Sequence, residues 1–234
     1  MQTTDQEALL GKALEVHDRL CEAYGAPFAF FQDLDPLSEL VSSLLSHRTK
    51  NRDSAEAFRR LRSRFATWAD VRDAPTSEVE SAIAPCTWPE QKAPRLQEAL
   101  RAISDRRREL SLDFLAEMPP DEARAWLQAI KGVGPKTSAA VLVFSTLRMP
   151  ALPVDSHHHR VAQRLGLIPP DVGPGPAHAR LRALLPEDWT AQQLYDDHEA
   201  LMYHGQRCCS YRNPACNRCP VLDLCPYGQQ RADK

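Results

Sequence analysis

Residues 127–155 read Leu-Gln-Ala-Ile-Lys-Gly-Val-Gly-Pro-Lys-Thr-Ser-Ala-Ala-Val-Leu-Val-Phe-Ser-Thr-Leu-Arg-Met-Pro-Ala-Leu-Pro-Val-Asp. Gly132-Val133-Gly134 separates an amphipathic run that ends at Ile130 from a second run that starts at Pro135, which is the pattern of a helix, a tight turn and a helix. Glycine reaches backbone angles other residues avoid and lets another backbone come close, and proline suits the first turn of a helix. The N–H groups that open the second helix have no intrahelical acceptor, so they form a ready-made phosphate site. Lys136 stands in that first turn. An amine at the positive end of a helix has its charged form disfavoured, so more of it is free to act as a nucleophile. Asp155 follows, after Pro150 and Pro153 have ended the helix. The glycines alone would mark an ordinary interhelical turn; the full pattern, with the lysine and the acid, asks for chemistry.

Working outward, the chain has 234 residues and a formal net charge of −2. That length buries a core, and that charge gives no global attraction for a polyanion, so any nucleic-acid binding must be local. No stretch resembles a signal peptide or a membrane span, and the expected location is the cytoplasm. Five of the seven cysteines fall between Cys208 and Cys225. Such clustering in a reducing compartment points to a metal or a cluster rather than disulfides. Cys209, Cys216, Cys219 and Cys225 follow the spacing Cys-x6-Cys-x2-Cys-x5-Cys, with Arg207, Arg212 and Arg218 among them. Four thiolates in one short loop need metal charge to hold them together. Ligand type alone allows tetrahedral zinc or a four-iron cluster.

No segment sustains period-2 alternation, and the fold class expected is all-α. Leu9, Leu10, Ala13, Leu14, Val16 and Leu20 give helical spacing over residues 5–24, with Cys21 beside that face as a small buried thiol. A helix from Pro36 carries Leu37, Leu40, Val41, Leu44 and Leu45 and ends in Ser46-His47-Arg48-Thr49-Lys50. Arg59, Arg60, Arg62 and Arg64 follow Asp53 and Glu56 at helical spacing and read as a solvated, ion-paired face. Further helices are expected from Glu90 to about Arg108, from Asp121, over His157–Leu165, near His178–Leu185 and from Ala191 to about His204, with a Pro/Gly-rich loop at 168–176. The run Val141-Leu142-Val143-Phe144 continues the helix of Lys136 and reads as buried helix.

Gly132, Val133, Gly134, Lys136 and Thr137, followed by Val154, Asp155, Ser156 and His157 and continued by Arg160 and Val161, resemble the helix-hairpin-helix motif of the endonuclease III family of DNA glycosylases. The cysteine spacing after His204-Gly205 is similar to that family's cluster loop. The resemblance runs from about Leu37 to Cys225. It implies two helical lobes with a DNA-binding cleft between them: a six-helix barrel with the hairpin over 28–148, and a cluster domain made of 1–27 and 149–234. It implies a [4Fe-4S] cluster on Cys209, Cys216, Cys219 and Cys225, with Cys208 left unligated. The implied partner is double-stranded DNA carrying damaged bases or abasic sites, met by a monomer associated with the nucleoid.

The implied activity is that of a bifunctional glycosylase and AP lyase on oxidised pyrimidines. Lys136 would be the nucleophile and Asp155 would take a proton or stabilise positive charge on the sugar. Lys131, Gly132, Val133, Gly134, Thr137 and His157 would meet DNA, Arg48 would enter the space left by a flipped base, and Trp88 would be the wedge. Arg48 stands where the family commonly has glutamine, Gln128 where it often has an acid, Lys131 where it has proline, and the turn near Trp88 is altered. These departures keep two alternatives open: the same chemistry on alkylated or mismatched bases, or a non-catalytic DNA-binding iron–sulfur protein. The pattern is also similar to adenine glycosylases, which lack a lysine at the position of Lys136.

Overall fold

A computed structural model describes the backbone of residues 2–232 and the side chains of residues 6–231. All regular elements among them are helical, as the sequence leads one to expect. The chain divides into two compact units, one made of Met1–Phe31 with Pro150–Lys234 and the other of Gln32–Met149.

The Gln32–Met149 unit contains α2 (Pro36–Ser46), α3 (Asn51–Arg64), α4 (Trp68–Asp73), α5 (Thr76–Ala82), α6 (Pro89–Arg107), a 3-10 turn (Asp113–Glu117), α7 (Pro120–Gln128) and α8 (Pro135–Phe144). Their ends follow local chemistry. Asp35 caps α2 by accepting from the Ser38 N–H at 2.9 Å, with Pro36 in the first position. Thr67 and Asp70 form a capping box on α4. Six helices were expected in this region, and seven α-helices are present among the described residues. Pro75 separates the short α4 from α5, because proline has no N–H with which to continue a helix. Gln97, fully buried on α6, staples that elbow by donating from Nε2 to the carbonyl of Ala74 at 2.7 Å and of Val71 at 3.0 Å.

α8 carries the core of this unit. Every residue from Thr137 to Phe144 is buried, so the apolar run Val141–Phe144 is a buried helix. α8 packs against α2, on which Leu40, Val41 and Leu45 are buried, and against α7. At roughly 1.5–3 kcal/mol for each large apolar side chain buried, this packing holds the α8 start in place. On α3, Arg59 and Arg60 pair with Glu56 as the spacing indicates, whereas Asp53 pairs with Arg52 and Arg64 reaches Glu78 on α5.

The second unit contains α1 (Gln2–Tyr24), α9 (Ser156–Leu165), α10 (Pro174–Arg182), α11 (Ala191–Arg207), a 3-10 turn (Cys216–Arg218) and α12 (Pro226–Ala232). α11 packs on both α1 and α9, and α12 on α9. The core includes Val16, Leu20, Val161, Leu165, Leu181, Leu194, Leu201 and Val221. Its boundary lies after Phe31 rather than after Pro27, because residues 28–30 are tied to α11. The Phe28 N–H donates to Asp196 at 2.8 Å, Tyr195 Oη donates to the Ala29 carbonyl at 3.2 Å, and Phe30 lies 4.3 Å from the Tyr195 ring. Cys21 is half-buried and lies 3.6 Å from a His17 ring nitrogen, a polar contact that the apolar spacing around it does not reveal. No helix among the described residues is long and apolar enough to cross a membrane.

Candidate functional site

The hairpin turn joins α7 to α8. Gly132 has φ +90°, in the left-handed region that favours glycine, while Gly134 is extended. Nothing lies within 4 Å of where a Cβ would stand on either glycine, so both leave their backbone open to close approach. Val133 is the buried residue between them, its N–H donating to the Ile130 carbonyl at 3.0 Å. Lys136 is half-buried in the first turn of α8. Lys131 is exposed and pairs with Glu98 at 3.2 Å. Gln128 is exposed at the end of α7.

Around the start of α8, α2 contributes a polar stripe. His47 Nε2 lies 2.9 Å from the Oγ1 of the buried Thr137. The residue as a whole is exposed, but its Nε2 edge faces the buried Thr137. That burial, with the charges of Lys136 and Lys92, pushes the imidazole down to about 4. Two turns earlier on the same stripe Glu39 is 2% exposed. Burial pushes its carboxyl up to about 7, against bonds from Ser43 and Gln32 and the charges of Lys136 and Arg148.

Arg48 and Trp88 both have left-handed backbones, φ 51° and 55°, a conformation that costs a residue with a Cβ roughly 1–3 kcal/mol. The structure brings their turns together. Thr49 Oγ1 accepts from the Thr87 N–H at 3.1 Å and from Lys92 Nζ at 2.6 Å, and Lys92 also donates to the Leu45 carbonyl at 2.6 Å. Arg48 is exposed and Trp88 is 47% exposed at the N-cap of α6. Two strained, exposed side chains held on adjoining turns present a cation and a large ring to whatever approaches.

Asp155 and His157 belong to the other unit. Asp155 is the N-cap of α9, its Oδ1 accepting from the His158 N–H at 2.7 Å. Burial pushes its carboxyl up, but the His198 charge, the His158 N–H and the charges of His158 and His157 outweigh it and hold it below the ordinary carboxylate range. Glu199, on α11, is pushed the opposite way, to about 7, by burial and by Asp155 and Asp196, against a bond from Tyr203. His157 Nδ1 lies 3.1 Å from Arg160 Nη2, and the same Nη2 donates to the carbonyls of Gly205 at 2.8 Å and Cys209 at 3.1 Å. His157 is thus part of the joint between α9 and the cysteine loop.

Cys209, Cys216, Cys219 and Cys225 line one recess of about 340 Å³, its open mouth included, together with Cys208 and His204. Two sulfurs already receive donors: Arg164 Nη1 at 3.2 Å from Cys209 and the Gly228 N–H at 3.3 Å from Cys225. A Cβ on Gly228 would stand 2.8 Å from Leu222 and 3.5 Å from the Cys225 sulfur, so glycine keeps that donor close. Burial pushes the Cys219 thiol up to about 12, and buried thiols of this kind give up their protons to a metal. His204, Cys208 and Cys219 bring ligand atoms within 4.8 Å of one another. Cys208 also donates to the Ala215 carbonyl at 3.5 Å and His204 Nδ1 meets Tyr24 Oη at 3.0 Å.

Sequence reading did not find Glu39, His47 or Glu199. The signal available was an acid at position 39 inside the apolar run Leu37–Leu45, where a solvated carboxylate has no place.

A family profile described as HhH-GPD superfamily base excision DNA repair protein matches residues 41–187. Among individual proteins, a candidate DNA glycosylase of Arabidopsis thaliana is 30% identical over 84% of this chain, which spans 65% of that relative, just under two thirds. Endonuclease III of Thermotoga maritima is 28% identical over 86% of this chain and 87% of its own. Among solved structures, a trapped endonuclease III–DNA covalent intermediate has the same fold with a TM-score of 0.80, at 24% identity, covering 95% of this chain and 98% of that one.

Proposed function

Since the chain belongs to the HhH-GPD superfamily of base excision DNA repair proteins, we propose that it is a bifunctional DNA glycosylase and AP lyase that removes oxidised pyrimidines from double-stranded DNA. The observation that carries this reading is a half-buried lysine, Lys136, in the first turn of a helix that a glycine turn opens to solvent. A protein that only bound DNA would have no use for an amine there. The relatives named endonuclease III support an enzyme that acts on DNA.

The damaged nucleotide leaves the stack, because its sugar carbon is unreachable inside a duplex. The unprotonated Lys136 amine attacks that carbon, the bond to the base breaks, and the base departs with the electron pair. Asp155, held ionised, stabilises the positive charge on the sugar, as carboxylates do in glycoside cleavage. The nitrogen then loses one of its two protons, the C–O bond of the sugar ring breaks with a proton going to the ring oxygen, and the nitrogen's electron pair forms a protonated Schiff base. The adjacent sugar C–H is then acidic; its proton leaves, the C–O bond to the 3′ phosphate breaks, and the strand is nicked by β-elimination. The Gly132–Gly134 turn grips a backbone phosphate, which positions the DNA without reading sequence. Arg48 occupies the space of the displaced nucleotide and Trp88 wedges the stack.

Cys209, Cys216, Cys219 and Cys225 would hold a [4Fe-4S] cluster, a choice supported by the N–H donors on two of the sulfurs and the glycine at position 228. When bound, the cluster supplies iron–thiolate bonds that fix the loop. The Gln32–Met149 unit is read as the helix-hairpin-helix domain and the other as the cluster domain.

The test is incubation of the purified protein with labelled duplexes carrying one oxidised pyrimidine, one alkylated base, one mismatch or one abasic site. The expected result is nicking with a β-elimination end at the oxidised pyrimidine and the abasic site alone. Base release without nicking, or action confined to alkylated or mismatched bases, contradicts the reading.

A further inference from the structure

We propose that Thr49 and Lys92 are positioning residues that lock Arg48 and Trp88 into one two-pronged unit, so that cation and ring enter DNA at a fixed spacing and each depends on the other. This rests on the reading of Arg48 and Trp88 as the residues that fill and wedge the base stack.

The Thr49 hydroxyl is the knot between the two turns. It makes every bond open to a hydroxyl: Oγ1 accepts from the Thr87 N–H at 3.1 Å and from Lys92 Nζ at 2.6 Å, and it donates to the His47 carbonyl at 3.3 Å. Thr49 directly follows Arg48 and Thr87 directly precedes Trp88. One hydrogen bond therefore sets the two turns side by side, although they stand far apart in the chain. Each is also held on its other side. The Thr49 N–H donates to the Ser46 carbonyl at 3.0 Å, closing a turn around His47 and Arg48, and the Trp88 carbonyl accepts from the N–H groups of Gln91 and Lys92, both at 3.1 Å. Left-handed backbones at residues with a Cβ persist where their surroundings over-determine them, and these bonds do so for both.

Lys92 is badly placed for its own helix. It stands near the N-terminus of α6, the positive end, where an ammonium is unfavourable. Its side chain is half-buried and donates to two neutral oxygens, Thr49 Oγ1 and, at 2.6 Å, the Leu45 carbonyl. That carbonyl lies in the last turn of α2 and has no intrahelical donor, so the ammonium caps the negative end of α2. Burial pushes the Lys92 pKa down, so the cation is held there against its own solvation. A methionine would fill the space between α2 and α6 as well; only the oxygens of the two turns call for an ammonium. The tie lies beneath the prongs, with Thr49 and Lys92 half-buried and Arg48 and Trp88 exposed above them.

The experiment measures binding of the full chain to a duplex carrying a tetrahydrofuran abasic analogue, which a lysine cannot cleave, next to a 2-aminopurine whose fluorescence reports unstacking. Arg48→Ala, Trp88→Ala and the double variant are compared in wild-type, Thr49→Val, Thr49→Ser and Lys92→Met backgrounds. In the wild type each single change should lose about tenfold in affinity and the double change about tenfold too, rather than the hundredfold of independent losses. In Thr49→Val and Lys92→Met the losses should multiply, whereas Thr49→Ser, which keeps the hydroxyl, should restore the coupling. Thr49→Val carries the test if Lys92→Met does not fold. Losses that multiply in the wild type overturn the proposal. So does coupling that survives in Thr49→Val while only the melting temperature or the affinity for undamaged DNA falls. Full affinity and full fluorescence change in both Arg48→Ala and Trp88→Ala would instead overturn the reading of those two residues beneath it.

Discussion

Lys136 and Asp155 can be separated into structural and chemical roles because their positions in helices are different. Asp155 is an N-cap, and asparagine caps a helix about as well as aspartate. Asp155→Asn should therefore leave the melting temperature nearly unchanged while lowering base release at least tenfold; a variant that loses both together would make Asp155 a cap and nothing more. Gly132 offers the converse test. With φ +90° and open space around it, Gly132→Ala meets no clash but strains the backbone by about 1–2 kcal/mol. A drop in denaturant midpoint of that size checks it. At this scale the sequence was most legible where chemistry is periodic or punctuated: the glycine turn, the lysine after it, the acid after two prolines. Glu39, His47 and Glu199 were not legible. Their burial is imposed by elements far away in the chain, and a carboxylate or imidazole in one helix does not say what packs over it.

At the scale of elements, the joints of α11 are where the cluster-loop unit is most exposed to change. A Cβ on Gly205 would stand 2.7 Å from His157 Cβ and 3.2 Å from its Cα, on the neighbouring α9. Gly205→Ala should force the two helices apart, costing about 1–3 kcal/mol in a thermal or denaturant melt; an unchanged melt would mean that the crossing has room for a Cβ. The other joint, α1 on α11, is held by His17 and Asp197 at 3.2 Å, both largely buried. Burial alone would lower the His17 pKa, but Asp197, then Cys21, raise it from 6.5 to about 10. A folded-state pKa above the unfolded one gives stability that is complete below pH 6.5 and is lost as pH rises through about 10. Wild type should accordingly lose melting temperature across that window, and His17→Gln should be less stable at low pH but flat through it. Helix existence was legible from spacing for the longer helices in both units, but not for the short α4, α5 and α12, whose six or seven residues are too few to show a period. The ends shifted by one to a few residues, as with α10, which opens at Pro174 inside the expected loop because proline suits a first turn.

For the whole molecule, two motifs about 70 residues apart (Lys136 to the Cys209–Cys225 loop) made the all-helical class and the family legible. The point at which the chain passes from one unit to the other was less legible, since the ties of residues 28–30 to α11 are hydrogen bonds and ring contacts that leave no periodic trace. The cluster reading predicts a brown protein with about four iron atoms per chain, and loss of iron in Cys216→Ser with retention in Cys208→Ser. A colourless protein holding zinc would contradict it.

Lys136 as the nucleophile is tested most directly by borohydride trapping on duplexes carrying an abasic site or an oxidised pyrimidine, comparing wild type with Lys136→Ala. The expected result is a covalent protein–DNA adduct on both duplexes that vanishes with the lysine. An adduct that persists in Lys136→Ala, or none from the wild type on either duplex, would contradict it.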